Sequence, residues 1–348
     1  MFMKFRPSKR AFALPILLLC LSSCGFAQQP DPNKVRLMTY NIGWFHTGAA
    51  PERVANLRTI LTEVNPQIVA MQEIEGRECL NLLFDKNWEV GIFDDPKEYQ
   101  EQAIAVRKPL KLIKTERMFP GEAFDLGYPN GRDGLRAEIG LPNGKTVVAY
   151  VVHFKSRRGG RMQTDNQRQF AAALLAGMLL KDRTENSIVM GDINDAPDDI
   201  SANILESGNV QAPPGAYKVE KPLMFNTVED LYRKDYVSHG LARNYRGSAL
   251  PPFVAGAFAE NERTRGIDYK YPDDLKVTQI MFDQILIRDN MKPWFVKANV
   301  YSSEAALRGR SGKIKFNDDG TVSYLEEGYQ ASDHLPVFVD LDMSKEIK

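Results

Sequence analysis

The sequence predicts an α+β fold in which two β-sheets pack face to face and helices cover them. Three observations carry that expectation. Strand-like segments run through the whole chain with helical ones interspersed among them. Two apolar runs flank Pro142-Asn143-Gly144, which marks an antiparallel hairpin. The 348 residues, 43% apolar and 26% charged, can fill a full core, and the composition excludes a collagen-like, coiled-coil or wholly disordered chain.

The elements follow in order. Lys34–Asn41 reads as a strand, and Pro51–Val64 as a helix with Val54, Leu57 and Leu61 on one face. Gln67–Gln72 is a short apolar strand that ends at Glu73, and Ala103–Val106 and Leu110–Ile113 are further strands. Leu135–Leu141 and Thr146–Phe154 form the hairpin. A helix is expected over Gln167–Leu180, a strand over Ser187–Met190 and a helix over Asp199–Leu205. Val277–Ile287, Trp294–Val300 and Leu335–Leu341 are the last strands. The stretch 207–276 is rich in Pro, Gly and aromatic residues and reads as long surface loops.

The first residues carry an address rather than structure. Lys4, Arg6, Lys9 and Arg10 precede the apolar run Ala11–Leu21, which has signal-peptide length and is too short to span a bilayer. Leu21-Ser22-Ser23-Cys24-Gly25 resembles a bacterial lipobox. It gives a lipoprotein-type signal over 1–23, a membrane anchor on lipidated Cys24, a linker over 24–33 and a domain over 34–343. Simple cleavage after Ala27 is the alternative; either way the protein is exported, to the periplasm, the outer membrane or the medium. Of three cysteines only Cys79 then remains unmodified, which leaves no intramolecular disulfide and favours a buried structural thiol. Removing the four N-terminal cations from 45 leaves 41 basic against 45 acidic residues, net −4. A chain of that sign is no general polyanion binder, so any nucleic-acid contact needs a local basic patch.

Several polar residues sit at the ends of apolar strands, where a rigid element can hold them in a cleft. They are Asn41, Glu73, His153, Asp192 with Asn194, Asp283, and Asp333 with His334. Each alone has a structural explanation, as a cap, a turn or a helix opening. Of the four histidines, His46 and His239 lack such a setting and read as surface or loop residues.

Together the segments resemble a family. Thr39-Tyr40-Asn41-Ile42, Gln72-Glu73, Val152-His153-Phe154-Lys155-Ser156, Gly191-Asp192-Ile193-Asn194, Phe282-Asp283-Gln284-Ile285 and Ser332-Asp333-His334-Leu335-Pro336 occur in this order. They are similar to the motif series of the endonuclease/exonuclease/phosphatase superfamily, of deoxyribonuclease I type, over nearly the whole mature chain. The resemblance implies a four-layer α/β/β/α sandwich of two packed mixed sheets. It implies Glu73 as principal Mg2+ ligand with Asn41 and Asp333 near the metal, Mn2+ being a possible substitute. An oxygen donor set without a Cys or His cluster suits such a hard ion. By the same resemblance His334 contacts the scissile phosphate or accepts a proton, oriented by Asp283. Asp192 and Asn194 position water and phosphate, and His153 is a second catalytic histidine, which points away from the abasic-site repair branch.

The loop Lys155-Ser156-Arg157-Arg158-Gly159-Gly160-Arg161 resembles the His-x-Lys-Ser loop of secreted bacterial nucleases. Its four cations Lys155, Arg157, Arg158 and Arg161 read as a clamp on a phosphate backbone, against the plainer reading that they pair with local acids such as Asp165. Arg132 and Arg136 are weaker candidates for the same cleft. The resulting expectation is a metal-dependent phosphodiesterase acting on DNA or RNA. A hydrolase for phospholipid headgroups or inositol or sugar phosphates is the first rival, with Pro251-Pro252-Phe253-Val254 as a candidate membrane loop. A binding-only lipoprotein is the second, disfavoured because every matched position keeps a competent residue.

Overall fold

Alternation of side chains along the strands decides the architecture. The structure, a computed structural model, describes residues 31–95, 100–129, 132–158, 160–182, 186–244, 280–318 and 322–346. The chain begins with β1 (Lys34–Phe45), β2 (Ile68–Ile74), β3 (Trp88–Ile92) and β4 (Glu101–Arg107). It continues with β5 (Lys111–Met118), β6 (Gly134–Gly140), β7 (Thr146–His153), β8 (Ser187–Asp192), β9 (Met224–Asn226) and β10 (Asp283–Arg288). β11 (Phe295–Val300), β12 (Lys313–Phe316), β13 (Val322–Glu326) and β14 (Val337–Asp342) complete it. One six-stranded sheet has the order β11-β14-β1-β2-β4-β3, the other β5-β6-β7-β8-β10-β9, and β12 and β13 form a separate hairpin.

On β1, Val35 and Leu37 point to one face and Met38 and Tyr40 to the other; on β7, Val147, Ala149 and Val151 oppose Val148, Tyr150 and Val152. Both faces of both sheets are therefore apolar, and three separate cores result. The middle core joins the sheets through Leu37, Ile68, Ala149 and Ile285. One outer core packs helix Pro51–Val64 on the first sheet through Leu57 and Ile60. The other packs helices Arg161–Lys181 and Ile200–Ser207 on the second through Leu175, Leu179 and Leu205. The expected sandwich of two mixed sheets between helices is what the chain forms.

The differences have local causes. The helix expected over Gln167–Leu180 begins six residues earlier, at Arg161. Its first turns bury Arg161, Thr164, Asp165 and Arg168 instead of apolar residues, so no hydrophobic period announces them. β3 and the β12–β13 hairpin add to the expected elements, because most of their side chains are half-buried or exposed and carry little pattern. The stretch 207–276 is not loop throughout, since β9 and helix Glu229–Arg233 lie in it. Residues 245–279, with the Pro251–Val254 segment, lie outside the described residues, as does the lipobox. Among the described residues no helix is long and apolar enough to cross a membrane. Cys79 is buried as expected, and burial pushes its thiol up to about 11.

One buried acid makes stability depend on pH. Burial, and then Glu229, push the Glu206 carboxyl up to about 8. Its folded value lies above its unfolded one, so its contribution is complete below the ordinary carboxyl range and is lost as pH rises through about 8. Glu206→Gln should therefore raise the melting temperature in mildly alkaline buffer and leave it nearly unchanged in acid, as read by circular dichroism. An equal shift in both buffers would contradict this.

Candidate active site

Each sheet contains one parallel pair, β1 with β2 and β7 with β8, and the carboxyl ends of both pairs emerge at the same edge of the sandwich. That edge collects the polar strand ends. Asn41 stands beside Gln72 in the ladder, His153 faces Asp192, and Asp192 also faces Asp283 across the β8–β10 pair. Gly191 permits this register: its φ is 155°, and a Cβ there would collide with the Val152 carbonyl oxygen. Glu73 sits at φ 62°, a left-handed conformation in a bulge where β2 shifts register against both neighbours before Ile74 pairs again.

The side chains meet across the two sheets. Asn41 Nδ2 donates to Glu73 Oε1 at 3.2 Å and to Asp192 Oδ2 at 3.1 Å. His153 Nε2 lies 3.7 Å from Glu73 Oε1 and 3.5 Å from Asp192 Oδ2. His334 Nδ1 is 2.7 Å from Asp283 Oδ2, and its Nε2 is 3.8 Å from Asp192 Oδ2. Ser332 fixes the incoming strand, donating to the Asn41 carbonyl at 2.7 Å and accepting from the His334 amide at 3.1 Å. Asn194, at φ 55°, donates to the Phe154 carbonyl at 3.0 Å while its amide donates to Asp192 Oδ1 at 2.9 Å.

Burial and mutual charge set the protonation states. Burial, then Asp333, raises Glu73 above the usual carboxyl range, and burial raises Asp192 as well. Burial, reinforced by Arg132, His334 and Lys155, lowers His153 well below its ordinary value, so it stays neutral. Burial opposes charge on His334 too, but Asp283 and Asp192, joined by Asp333, outweigh it and push His334 up to about 10. The two histidines are thus shifted in opposite directions, His153 toward the neutral imidazole and His334 toward the imidazolium against the buried Asp283 carboxylate. The carboxylates of Glu73, Asp192 and Asp333 line one cleft and offer hard oxygen donors that fit a small divalent cation, whereas Asn41 Oδ1 accepts from the Gly43 amide at 3.0 Å and its Nδ2 faces the acids.

All eight residues expected as catalytic or metal-binding come together here. Six of them, all but Asn41 and Asp283, line a cleft of about 530 Å3 that Lys155, Arg158 and Arg132 also line. Arg157 and Arg161 do not serve as the expected clamp. Both are buried, Arg157 bonding Asp199 at 2.6 Å and Asp195 at 3.2 Å and Arg161 pairing with Asp199. The plainer reading of that loop holds for these two, with Asp195 and Asp199 as their main acids, while Asp165 pairs with Arg168. Arg136 is likewise engaged, by Glu116 at 2.7 Å and Asp182 at 3.0 Å.

His46 and His239 are not surface residues. His46 is buried with Nε2 2.7 Å from Glu327 Oε2. His239 lines the cleft, its Nε2 3.5 Å from Asp333 Oδ2 and its ring 4.6 Å from that of His334. One ligand atom each of His239, Asp333 and His334 lies within 4.8 Å of the others. Beside it, Ser238 donates to Asp283 Oδ2 at 2.7 Å and accepts from the Asp283 amide at 2.9 Å. Sequence reasoning missed both because Val237-Ser238-His239-Gly240 borders the least patterned stretch of the chain. The histidine itself was the sole signal.

Residues 38–334 match the Endonuclease/Exonuclease/phosphatase family. No curated protein matches the chain. Solved structures share the fold at low identity. Zebrafish (D. rerio) TDP2 complexed with single strand DNA product is 17% identical, covering 88% of this chain and 98% of its own at TM-score 0.50. The human Nocturnin catalytic domain with bound sulfate is 14% identical, covering 89% and 93% at TM-score 0.51. A Bacteroides thetaiotaomicron endonuclease/exonuclease/phosphatase family protein is 12% identical, covering 88% and 97% at TM-score 0.54.

Proposed function

This chain belongs to the endonuclease/exonuclease/phosphatase family of phosphoester hydrolases, and from that premise we propose that it is an exported, Mg2+-dependent phosphodiesterase acting on nucleic acid. The observation that carries the reading is the meeting of Asn41, Glu73 and Asp192 with His153 and with the His334–Asp283 pair. Glu73, Asn41 and Asp333 would hold the cation, which supplies Lewis-acid stabilisation of charge on the phosphoryl oxygens. His334, held as an imidazolium by Asp283, hydrogen-bonds a phosphate oxygen that gains charge in the transition state. Asp192 and Asn194 orient the attacking water, and the neutral His153 completes the shell around the phosphate. Lys155, Arg158 and Arg132 supply the local basic patch that a net-negative chain needs to hold a polyanion.

The test is a substrate panel on the protein with Mg2+, with Mn2+ and with chelator, containing DNA, RNA, sphingomyelin and inositol phosphates. Metal-dependent cleavage of a polynucleotide is expected. Release of phosphate or a headgroup with no polynucleotide cleaved would move the substrate to a lipid or small phosphate ester. Anchoring through lipidated Cys24 belongs to the same proposal, and mass spectrometry of the protein from its host membrane checks it.

The cation should also stabilise the fold, because it relieves repulsion among Glu73, Asp192 and Asp333. At an Mg2+ concentration about 100 times its dissociation constant, linkage gives about 2.7 kcal/mol. A wild-type melting temperature that does not move with added Mg2+, or an equal shift in Glu73→Gln, would show that these carboxylates do not hold it.

A further inference from the structure

Two aromatic side chains in the cleft take no part in the hydrolysis described above. Trp44 and Phe316 line it together with Glu73, His153 and His334. Their rings meet edge to edge-on face, with centroids 5.7 Å apart and planes at 76°. Neither is a core residue, since Phe316 is 43% exposed and Trp44 half-buried.

The backbone goes out of its way to present Trp44. Its φ is 54°, directly after Gly43 at the same value, and a bulky residue adopts that region only when its surroundings hold it there. The β1–β2 register shifts between Asn41 and Phe45, so Trp44 turns out to the cleft while Phe45 returns to the core. Phe316 arrives on β12, which is docked onto the end of β1. Tyr324 of the paired β13 stacks on His46 with centroids 3.7 Å apart, and Glu327 holds His46 and accepts from the Ala50 amide at 3.1 Å.

Planar apolar faces beside Lys155, Arg158 and Arg132 make the combination that suits a single strand, cations for the backbone and aromatic rings for the bases. We infer that Trp44 and Phe316 form a stacking platform for an unpaired nucleobase next to the scissile phosphate, so that the substrate class is single-stranded nucleic acid. The inference rests on the nuclease reading above and narrows it. Bases of a duplex already stack on one another and offer no free face.

The test compares a single-stranded oligonucleotide with an abasic oligomer of equal length, both with Mg2+. Wild type should show a KM about tenfold lower on the base-bearing strand. Trp44→Ala should raise that KM to the base-free value, Trp44→Phe should restore most of the difference, and the exposed Phe316→Ala should reproduce part of the loss. Equal KM values on the two substrates in wild type, or a preference that survives in both alanine variants, would remove the platform and leave the nuclease reading standing. Failure of wild type to cleave either polymer would overturn the nuclease reading itself and the platform with it.

Discussion

Replacing His334 by alanine should lower kcat for phosphodiester hydrolysis by about 10²–10⁴-fold, the range in which a positioned acid–base group contributes. The effect should fall on kcat more than on KM, because the imidazolium is aimed at charge that grows in the transition state. Asp283→Asn should approach the same loss without touching substrate. It removes the carboxylate that keeps His334 charged and oriented, and it sits with Oδ2 2.7 Å from Nδ1. Ser238→Ala should give a smaller loss of about tenfold, since it deletes the hydrogen bond to the Asp283 carboxylate, worth about 1 kcal/mol, with those from the Phe282 and Asp283 amides, and leaves the charge in place. The order His334, then Asp283, then Ser238 is the content of the prediction, measured as steady-state rates on the best polynucleotide of the panel. Near wild-type turnover in His334→Ala would show that the histidine does not act in the reaction.

The centre of this site was legible in the sequence for a physical reason. Asn41, Glu73, His153 and Asp192 are polar residues at or near the ends of apolar strands and Asp283 opens one, and such a residue is conspicuous against its own segment. Their order along the chain, and their family resemblance, assigned the rest. What could not be read was anything decided by backbone conformation or by a distant partner. No pattern announces that Glu73, Asn194 and Trp44 adopt positive φ, yet those angles aim their side chains. His239 and Ser238 reach the site because Ile280 and His334 bridge to His239 from other segments, a pairing with no periodic signature. In the fold, the strands of the sandwich core were visible through their apolar runs. The β12–β13 hairpin was not, because it packs a few aromatic side chains on the end of β1 and buries little else.

The misread arginines carry the second large effect. Four cations beside a catalytic histidine look like a phosphate clamp from the sequence, but Asp195 and Asp199 lie one turn after the Asp192–Asn194 motif and fold back onto two of them. Asp199 accepts from Arg157 at 2.6 Å, from Arg161 and from the Ala196 amide at 2.7 Å, while Asp195 binds Arg168 at 2.8 Å and Ser201 at 2.7 Å. All of these side chains are buried. Asp199→Ala would leave Arg157 and Arg161 without their main counter-charge in that interior, and breaking such a pair costs about 3–5 kcal/mol. Chemical denaturation should show a loss of that size, and a change below about 1 kcal/mol would mean that solvent or another acid replaces the carboxylate. Activity should fall with it. Arg157 Nε also donates to the Asn194 carbonyl at 3.1 Å, and Asn194 is held at φ 55° while its amide fixes Asp192. The buried charges thus serve the phosphate indirectly, by bracing the turn that aims Asp192 and Asn194. In variants that stay folded, Asp199→Asn should therefore retain more kcat than Asp199→Ala in proportion to the geometry it preserves.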